Sequence, residues 1–318
     1  MILQDRNNIK SPRVAYGETL AALGAENENI VAVDADLSCS TQTQIFAKVF
    51  PDRFFNAGIA EQDAIGTAAG LSTCGKIPFV STFAVFATGR AYDQIRTSVA
   101  YPKFNVKIVA THGGITVGED GATHQSLEDI ALMRGLPNMI VIVPADSVEV
   151  AEAIKFAAKH QGPVYIRISR SNVPTIFDEA KYKFNLNKAN VIREGKDVTI
   201  ASNGETLIEA LKCADLLKER GIDAEVISVP VVKPLDGATI IESVRKTGKI
   251  AVVENHSIIG GLGSAICECV SENYPVPVLR IGVNDEFGQS GTPGDLMAHY
   301  GLLAEKFIDR VAGLAKRA

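Results

Sequence analysis

Short runs of β-branched residues alternate along this chain with amphipathic or Ala-rich stretches. That alternation permits few folds other than parallel sheets covered by helices. A first series reads as buried strands at IVAVD (30–34), IPFVSTF (77–83), VKIVATH (106–112), MIVIVP (139–144) and PVYIRIS (163–169), with helices over 13–25, 60–74, 89–100 and 147–160. Asp146 or Ser147 supplies the cap of the last helix. A second series places strands at VTIAS (198–202), AEVISVP (224–230), KIAVVEN (249–255) and VPVLRIG (276–282), with helices near 205–219, 236–246, 261–273 and 302–316. Between the two, IFDEAKYKFNLNKAN (176–190) breaks the rhythm with polar and aromatic residues. The expected fold class is therefore α/β, two domains, each a mostly parallel sheet flanked by helices: residues 1–180, a linker over 181–191, and residues 192–318. A chain of 318 residues suits that number of domains. In such sheets crossovers are right-handed and ligands lie beyond the carboxyl ends of the strands.

Composition narrows the function. A net charge of −5 without Lys/Arg clusters argues against a nucleic-acid partner. No apolar run approaches the ~20 residues of a membrane span, and MILQDRNNIK lacks the apolar core of a signal peptide, so a cytoplasmic protein is expected. The five cysteines, 39, 74, 213, 267 and 269, form an odd, scattered set that suits buried thiols better than disulfides. There is no P-loop, no G-x-G-x-x-G after a strand and no zinc spacing.

One segment nevertheless carries chemistry. In GEDGATHQ (118–125), glycines that permit tight turns surround Asp120 and His124, two side chains able to move or orient protons. No Ser or Cys nucleophile accompanies them, so the hard chemistry must come from a bound cofactor. Upstream, Glu61 opens the small-residue helix AEQDAIGTAAGL.

DADLS (34–38), NAGIAEQDAIGTAAGL (56–71), STFAVFATGRAYDQIR (81–96) and THGGITVGEDGATHQ (111–125) resemble the pyrimidine-binding domain of transketolases. ISRSN (168–172) and DEFGQSG (285–291) resemble later parts of the same enzymes. The G-D-G motif that holds the diphosphate and its metal in thiamine diphosphate enzymes occurs nowhere in the chain. The resemblance therefore implies the C-terminal subunit of a split transketolase of the pentose phosphate pathway. An N-terminal partner subunit would bring the diphosphate site and Mg2+ or Ca2+, with two copies of each subunit and sugar phosphates as substrates. RAYDQ (90–94) is similar to deoxyxylulose-phosphate synthases, and the general layout resembles the beta subunits of 2-oxo acid dehydrogenases. A non-catalytic regulatory subunit of the same fold is the remaining alternative.

The resemblance also assigns residues. Glu61 corresponds to the glutamate that hydrogen-bonds the cofactor's aminopyrimidine and promotes the tautomer that activates the thiazolium; its alternative is a helix N-terminus stabiliser. Phe83 and Phe86 are placed like the aromatics that cover the pyrimidine, Phe86 being the closer match. A tyrosine common three residues later is Gly89 here. Asp36 and Leu37 fall where the family meets the cofactor. Asp120, His124 and His112 correspond to substrate-side residues, although the Asp common after His112 is Gly113 here. Arg13, Ser40 and Arg170 resemble the phosphate ligands, with Arg167 as a neighbour that assists or pairs with an acid. The turn IIGGLGSAI (258–266) has the form of an anion-binding helix start, and equally of close packing. The second domain receives no catalytic residue, and DEFGQSG is assigned to its scaffold.

Overall fold

The structure is a computed structural model that describes residues 8–317. Seven strands form the first sheet, in the order Val231–Lys233, Ile140–Ile142, Val164–Ile168, Lys107–Thr111, Ile77–Phe83, Ile30–Asp34, Phe54–Asn56. Every pairing but the first is parallel. The second sheet has five, in the order Val278–Val283, Ile250–Ser257, Val198–Ser202, Ala224–Ser228, Asn190–Arg193, with only the last antiparallel. Both sheets match the expected architecture, and their central strands are mostly apolar because helices cover both faces. Ile30–Asp34 and Lys107–Thr111 are buried at every position.

Helix starts follow the local chemistry. Ser11 caps Pro12–Glu26 with its hydroxyl on the Val14 N–H, and Pro12 occupies the first turn, where it costs no hydrogen bond. Asp146 caps Ser147–Lys159 through the Glu149 N–H at 2.9 Å, and its second oxygen accepts from Ile176 and Phe177. Of the segment expected to be a linker, Tyr182 packs on the first domain, whereas the Ala189 N–H donates to Asp236 and Asn190 and Val191 pair with the second sheet. Tyr182, 1% exposed, donates to Glu149 at 2.5 Å, and burial pushes the Glu149 carboxyl up to about 8.

Two further differences matter. The run AEVISVP does not end with its strand: after Pro230 the chain crosses to the first sheet, and Val231–Lys233 pairs antiparallel with Ile140–Ile142. The Val143 N–H donates to Pro230 O at 2.7 Å at the crossing. Val231 and Val232 are buried, and burial of a valine side chain stabilises by about 1.5–3 kcal/mol, so this graft ties the two sheets together. One hydrophobic cluster runs accordingly from Val33 and Ile108 to Ile227, Val252 and Leu262. The helix expected over 89–100 is wound partly as π-helix, at Phe86–Arg90 and Ile95–Ala100, a geometry common at functional sites.

Among the described residues no helix is long and apolar enough to cross a membrane. All five cysteines are free, but only Cys213 is buried; Cys39 and Cys74 are exposed, contrary to the expectation of buried thiols.

Candidate active site

Four neighbouring parallel strands end side by side, and each delivers expected site residues at its carboxyl edge. Ile30–Asp34 leads into Asp36, Leu37 and Ser40; Ile77–Phe83 into Phe86; Lys107–Thr111 into His112; Val164–Ile168 into Arg170. The register aligns Asp34 with Ser81, Phe83 with Thr111, and Thr111 with Ile168. The parallel topology itself therefore gathers residues spread over more than a third of the chain.

Asp34, which sequence reasoning passed over as part of a strand, shapes the first turn. Fully buried, it accepts from the Leu37 N–H at 2.6 Å and from the hydroxyls of Thr41 and Thr43 at 2.8 Å each. Burial raises its pKa against the opposing pull of those donors. Asp36 projects into solvent with φ 62° and accepts from Asn56 at 2.9 Å. Ser40 lies within the short helix Ser38–Thr41 and caps nothing; its carbonyl accepts from Arg13 Nη1 at 2.7 Å.

Glu61 begins the helix Glu61–Thr73 and is 2% exposed. It does not lie in a purely apolar pocket: Arg90 Nη1 approaches both carboxylate oxygens at 3.0 Å. The same guanidinium lies over the Phe86 ring, 4.8 Å from its centroid. Phe86 is half-buried and stacks parallel to Phe83 at 5.9 Å. Phe83 is buried and stacks in turn on the His112 ring at 3.7 Å, so it packs beneath the site while Phe86 borders it. His124 meets Phe86 edge-on at 5.4 Å and takes up a hydrogen bond with Thr123 at 2.9 Å.

His112 has φ 61°, a backbone conformation that non-glycine residues adopt at a cost of order 1–3 kcal/mol. Its Nδ1 pairs with Thr111 Oγ1 at 2.8 Å. Burial, reinforced by the Arg13 and Arg170 cations and by His124, pushes its pKa down to about 3. His112 is therefore neutral near pH 7 and serves as a hydrogen-bonding group, not as a cation. The sign of the linkage follows. A folded pKa below the unfolded value near 6.5 contributes stability that is complete above pH 6.5 and is lost as pH falls towards 3. Between pH 6.5 and 4 the wild-type chain is expected to lose on the order of 2 kcal/mol more stability than His112→Gln. Urea unfolding of both at several pH values checks this; parallel losses would remove the assignment.

Arg13 and Arg170 converge on the same place. Burial and the Arg170 charge lower the Arg13 pKa, and its Nε is buried without a hydrogen-bond partner. Arg170 donates to Val117 O at 2.8 Å and to Glu119 at 3.1 Å. Arg13, Arg170, His112 and His124 thus surround a locally positive spot, with the Ser40 carbonyl beside it, in a chain of net negative charge. Asp120, exposed, and His124 border it on the Gly118–Gln125 loop.

Arg167 pairs with an acid and does not reach this cluster. Its Nε lies 3.2 Å from Asp129 Oδ2, without hydrogen-bond alignment, and its Nη2 donates to Asn255 O at 2.7 Å. The guanidinium occupies the space where a Cβ on residue 113 would be, which accounts for Gly113. The turn IIGGLGSAI is likewise filled from within: Glu254 accepts from the N–H groups of Leu262 and Gly263 at 2.7 and 2.9 Å and takes the room of any Cβ at Gly261. The anion at that helix start is the chain's own.

Among the described residues no group of three or more His, Cys, Asp or Glu side chains is arranged to hold a metal ion. A flat heterocycle fits the site better, since Phe86 offers a half-buried ring and Glu61 a buried carboxylate beside it.

Comparison with known proteins agrees with this arrangement. Residues 10–175 match the transketolase pyrimidine-binding domain and residues 187–307 the transketolase C-terminal domain. A Methanocaldococcus jannaschii protein named as a transketolase C-terminal section is 51% identical over 306 residues, 95% of each chain. A 6-deoxy-6-sulfo-D-fructose transketolase subunit of a Clostridium species is 43% identical over 296 residues, 93% of this chain and 92% of its own. A solved structure described as a split gene transketolase, inactive beta4 tetramer, superimposes with a TM-score of 0.88 at 51% identity, over 96% of this chain and 98% of that one. On these grounds the chain belongs to the transketolase family, of which it carries the pyrimidine-binding and C-terminal domains.

Proposed function

We propose that this chain is the C-terminal subunit of a two-chain transketolase, which transfers a two-carbon ketol unit from a ketose phosphate to an aldose phosphate. The observation that carries the reading is the pairing, at one sheet edge, of a buried acid beside an aromatic face with a cluster of two arginines and two histidines. The first suits a cofactor ring and the second the anionic end of a sugar. Thiamine diphosphate would supply the carbon nucleophile that carries the ketol unit between sugars.

The chain's own residues then have distinct tasks. Glu61 would hold the aminopyrimidine ring of the cofactor through a hydrogen bond, Phe86 would cover the ring face, and Asp36 and Leu37 would border it. Arg13 and Arg170 would fix the anionic end of the sugar, with the neutral His112 and the Ser40 hydroxyl completing the contacts. His124 would exchange a proton at the sugar carbonyl oxygen, and Asp120 would orient a hydroxyl group. The diphosphate and its Mg2+ or Ca2+ would be held by an N-terminal partner subunit, because the G-D-G motif is not in this chain.

The test is ketol transfer from xylulose 5-phosphate to ribose 5-phosphate, with thiamine diphosphate and magnesium, for this chain alone and mixed with the N-terminal partner. Turnover in the mixture only is expected. Full turnover by the chain alone would refute the shared site. A sulfonated donor belongs in the same assay, since a guanidinium pair accepts a sulfonate as well as a phosphate.

A further inference from the structure

The geometry points to a positioning role for the C-terminal domain, exerted through Gln125: the segment 287–296 sets the shape of the loop that carries Asp120 and His124. This deepens the proposed function and rests on it only for the substrate. The loop is a short 3-10 helix, Ile115–Asp120, followed by single turns in which the Gly121 N–H donates to Gly118 O at 3.1 Å and the His124 and Gln125 N–H groups to Gly121 O at 3.0 and 3.2 Å. Gly118 and Gly121 have φ values of 83° and 76°, which interrupt the helical run, so no long ladder braces the loop. Besides these turns and the Arg170 bonds to Val117 O and Glu119, the loop is held by two contacts from 164 and 171 residues further along the chain. Gln125, 4% exposed, donates through Nε2 to Ile115 O and Gly118 O, both at 3.2 Å, and across the domain boundary to Gln289 O at 2.9 Å. Ser290 Oγ donates to Glu119 O at 2.7 Å, one residue before Asp120.

Packing restricts the same contact. A Cβ at Gly288 would overlap Gln125 Oε1, so this glycine is what lets the segment close on the glutamine. The helix Pro293–His299 lies against Ile115–Asp120, and Tyr300 donates to Phe287 O at 3.1 Å, which anchors the segment to its own domain. Between loop and segment a cleft of about 470 Å³ opens beside His124, lined in part by Val85, Thr123, Asp285 and Phe287. One amide thus reads three carbonyls, two on the loop and one on the other domain. Loss of its donor removes all three bonds at once and leaves Gly118 O only its turn bond from the Gly121 N–H, so Asp120 and His124 shift relative to the Arg13 and Arg170 cluster.

The test has two independent readouts. The first is amide hydrogen exchange over residues 115–125 in the full chain, for wild type, Ser290→Ala and Gln125→Met. Exchange should rise about fivefold in Ser290→Ala and more than tenfold in Gln125→Met, with the pyrimidine-side helix Glu61–Thr73 unchanged. Unchanged exchange in both variants overturns the inference whatever the protein's activity. The second readout is kinetic, in the complex with the N-terminal subunit. Sugar KM should rise roughly threefold in Ser290→Ala, and kcat should also fall, about tenfold, in Gln125→Met, while the dissociation constant of thiamine diphosphate measured by calorimetry stays within twofold. Losses of cofactor affinity in step with turnover would mark a merely structural role and also overturn it. If the wild-type complex fails to turn over any sugar phosphate while the exchange results hold, the substrate assignment falls and the mechanical coupling stands.

Discussion

Glu61→Ala is expected to reduce ketol transfer by the reconstituted complex by roughly 10²–10⁴-fold, the range for removal of a group that acts on a proton. Stability should change far less. As an acid in the first turn of Glu61–Thr73, Glu61 favours the helix by about 0.3–1 kcal/mol, and its ion pair involves an arginine whose side chain is 49% exposed, which adds little more. The two effects therefore separate the roles. A helix-stabilising glutamate would lower the unfolding temperature and leave the rate, whereas a cofactor-side glutamate does the reverse. Glu61→Gln refines the result, because it keeps shape and one hydrogen bond but cannot ionise. Arg90→Ala is the companion control, since it leaves the carboxylate in place and removes its neighbour. Initial rates at saturating thiamine diphosphate, with unfolding followed by circular dichroism on the same samples, decide the matter. A Glu61→Ala rate within tenfold of wild type would remove Glu61 from the mechanism.

Arg90 shows where local reading stops. Its partner lies 29 residues earlier, and the π-helical turn at Phe86–Arg90 that brings it over Phe86 has no signature in a pattern of apolar spacing. The sheets were readable because a strand buried on both faces is a near-continuous apolar run, as the first four residues of IVAVD are. The strand Val231–Lys233 was not, since it follows AEVISVP without a turn signal and differs only in the sheet it joins. For the site, GEDGATHQ and the acid of AEQDAIG stood out as chemistry-bearing types on glycine-rich or helix-opening segments. Asp34 was hidden inside a strand, and Glu254, at the end of another, gave no sign that its carboxylate would fill a helix start eight residues on. Gln125 and Gln289 are 164 residues apart and meet only because two domains share a core. Periodicity reports which face of an element is buried; it carries no information about which distant element buries it.

Arg167, buried where the two domains meet, is a side chain whose loss should destabilise the protein strongly. Arg167→Ala is expected to cost about 3–5 kcal/mol, because it leaves the carboxylate of Asp129, fully buried, without its cation. Tyr165 donates to Asp129 Oδ2 at 2.7 Å but does not neutralise it, and Oδ1 has no hydrogen-bond partner to compensate. The cross-domain bond from Arg167 to Asn255 O would go as well. Asp129→Asn in the same chain should recover much of the loss, since the amide oxygen still accepts from Tyr165 and no charge is stranded. Gly113 supplies a second check on the geometry. In the wild type, Gly113→Ala drives a methyl group into the Arg167 guanidinium and should itself cost several kcal/mol; beside Arg167→Ala it enters vacated space and should cost little. Urea unfolding of the four-member cycle measures this coupling, with the two single variants together losing at least about 2 kcal/mol more than the double. Additive losses would mean that Arg167 does not fill the space beside Gly113, and that the residue after His112 is free to carry a side chain into the sugar site.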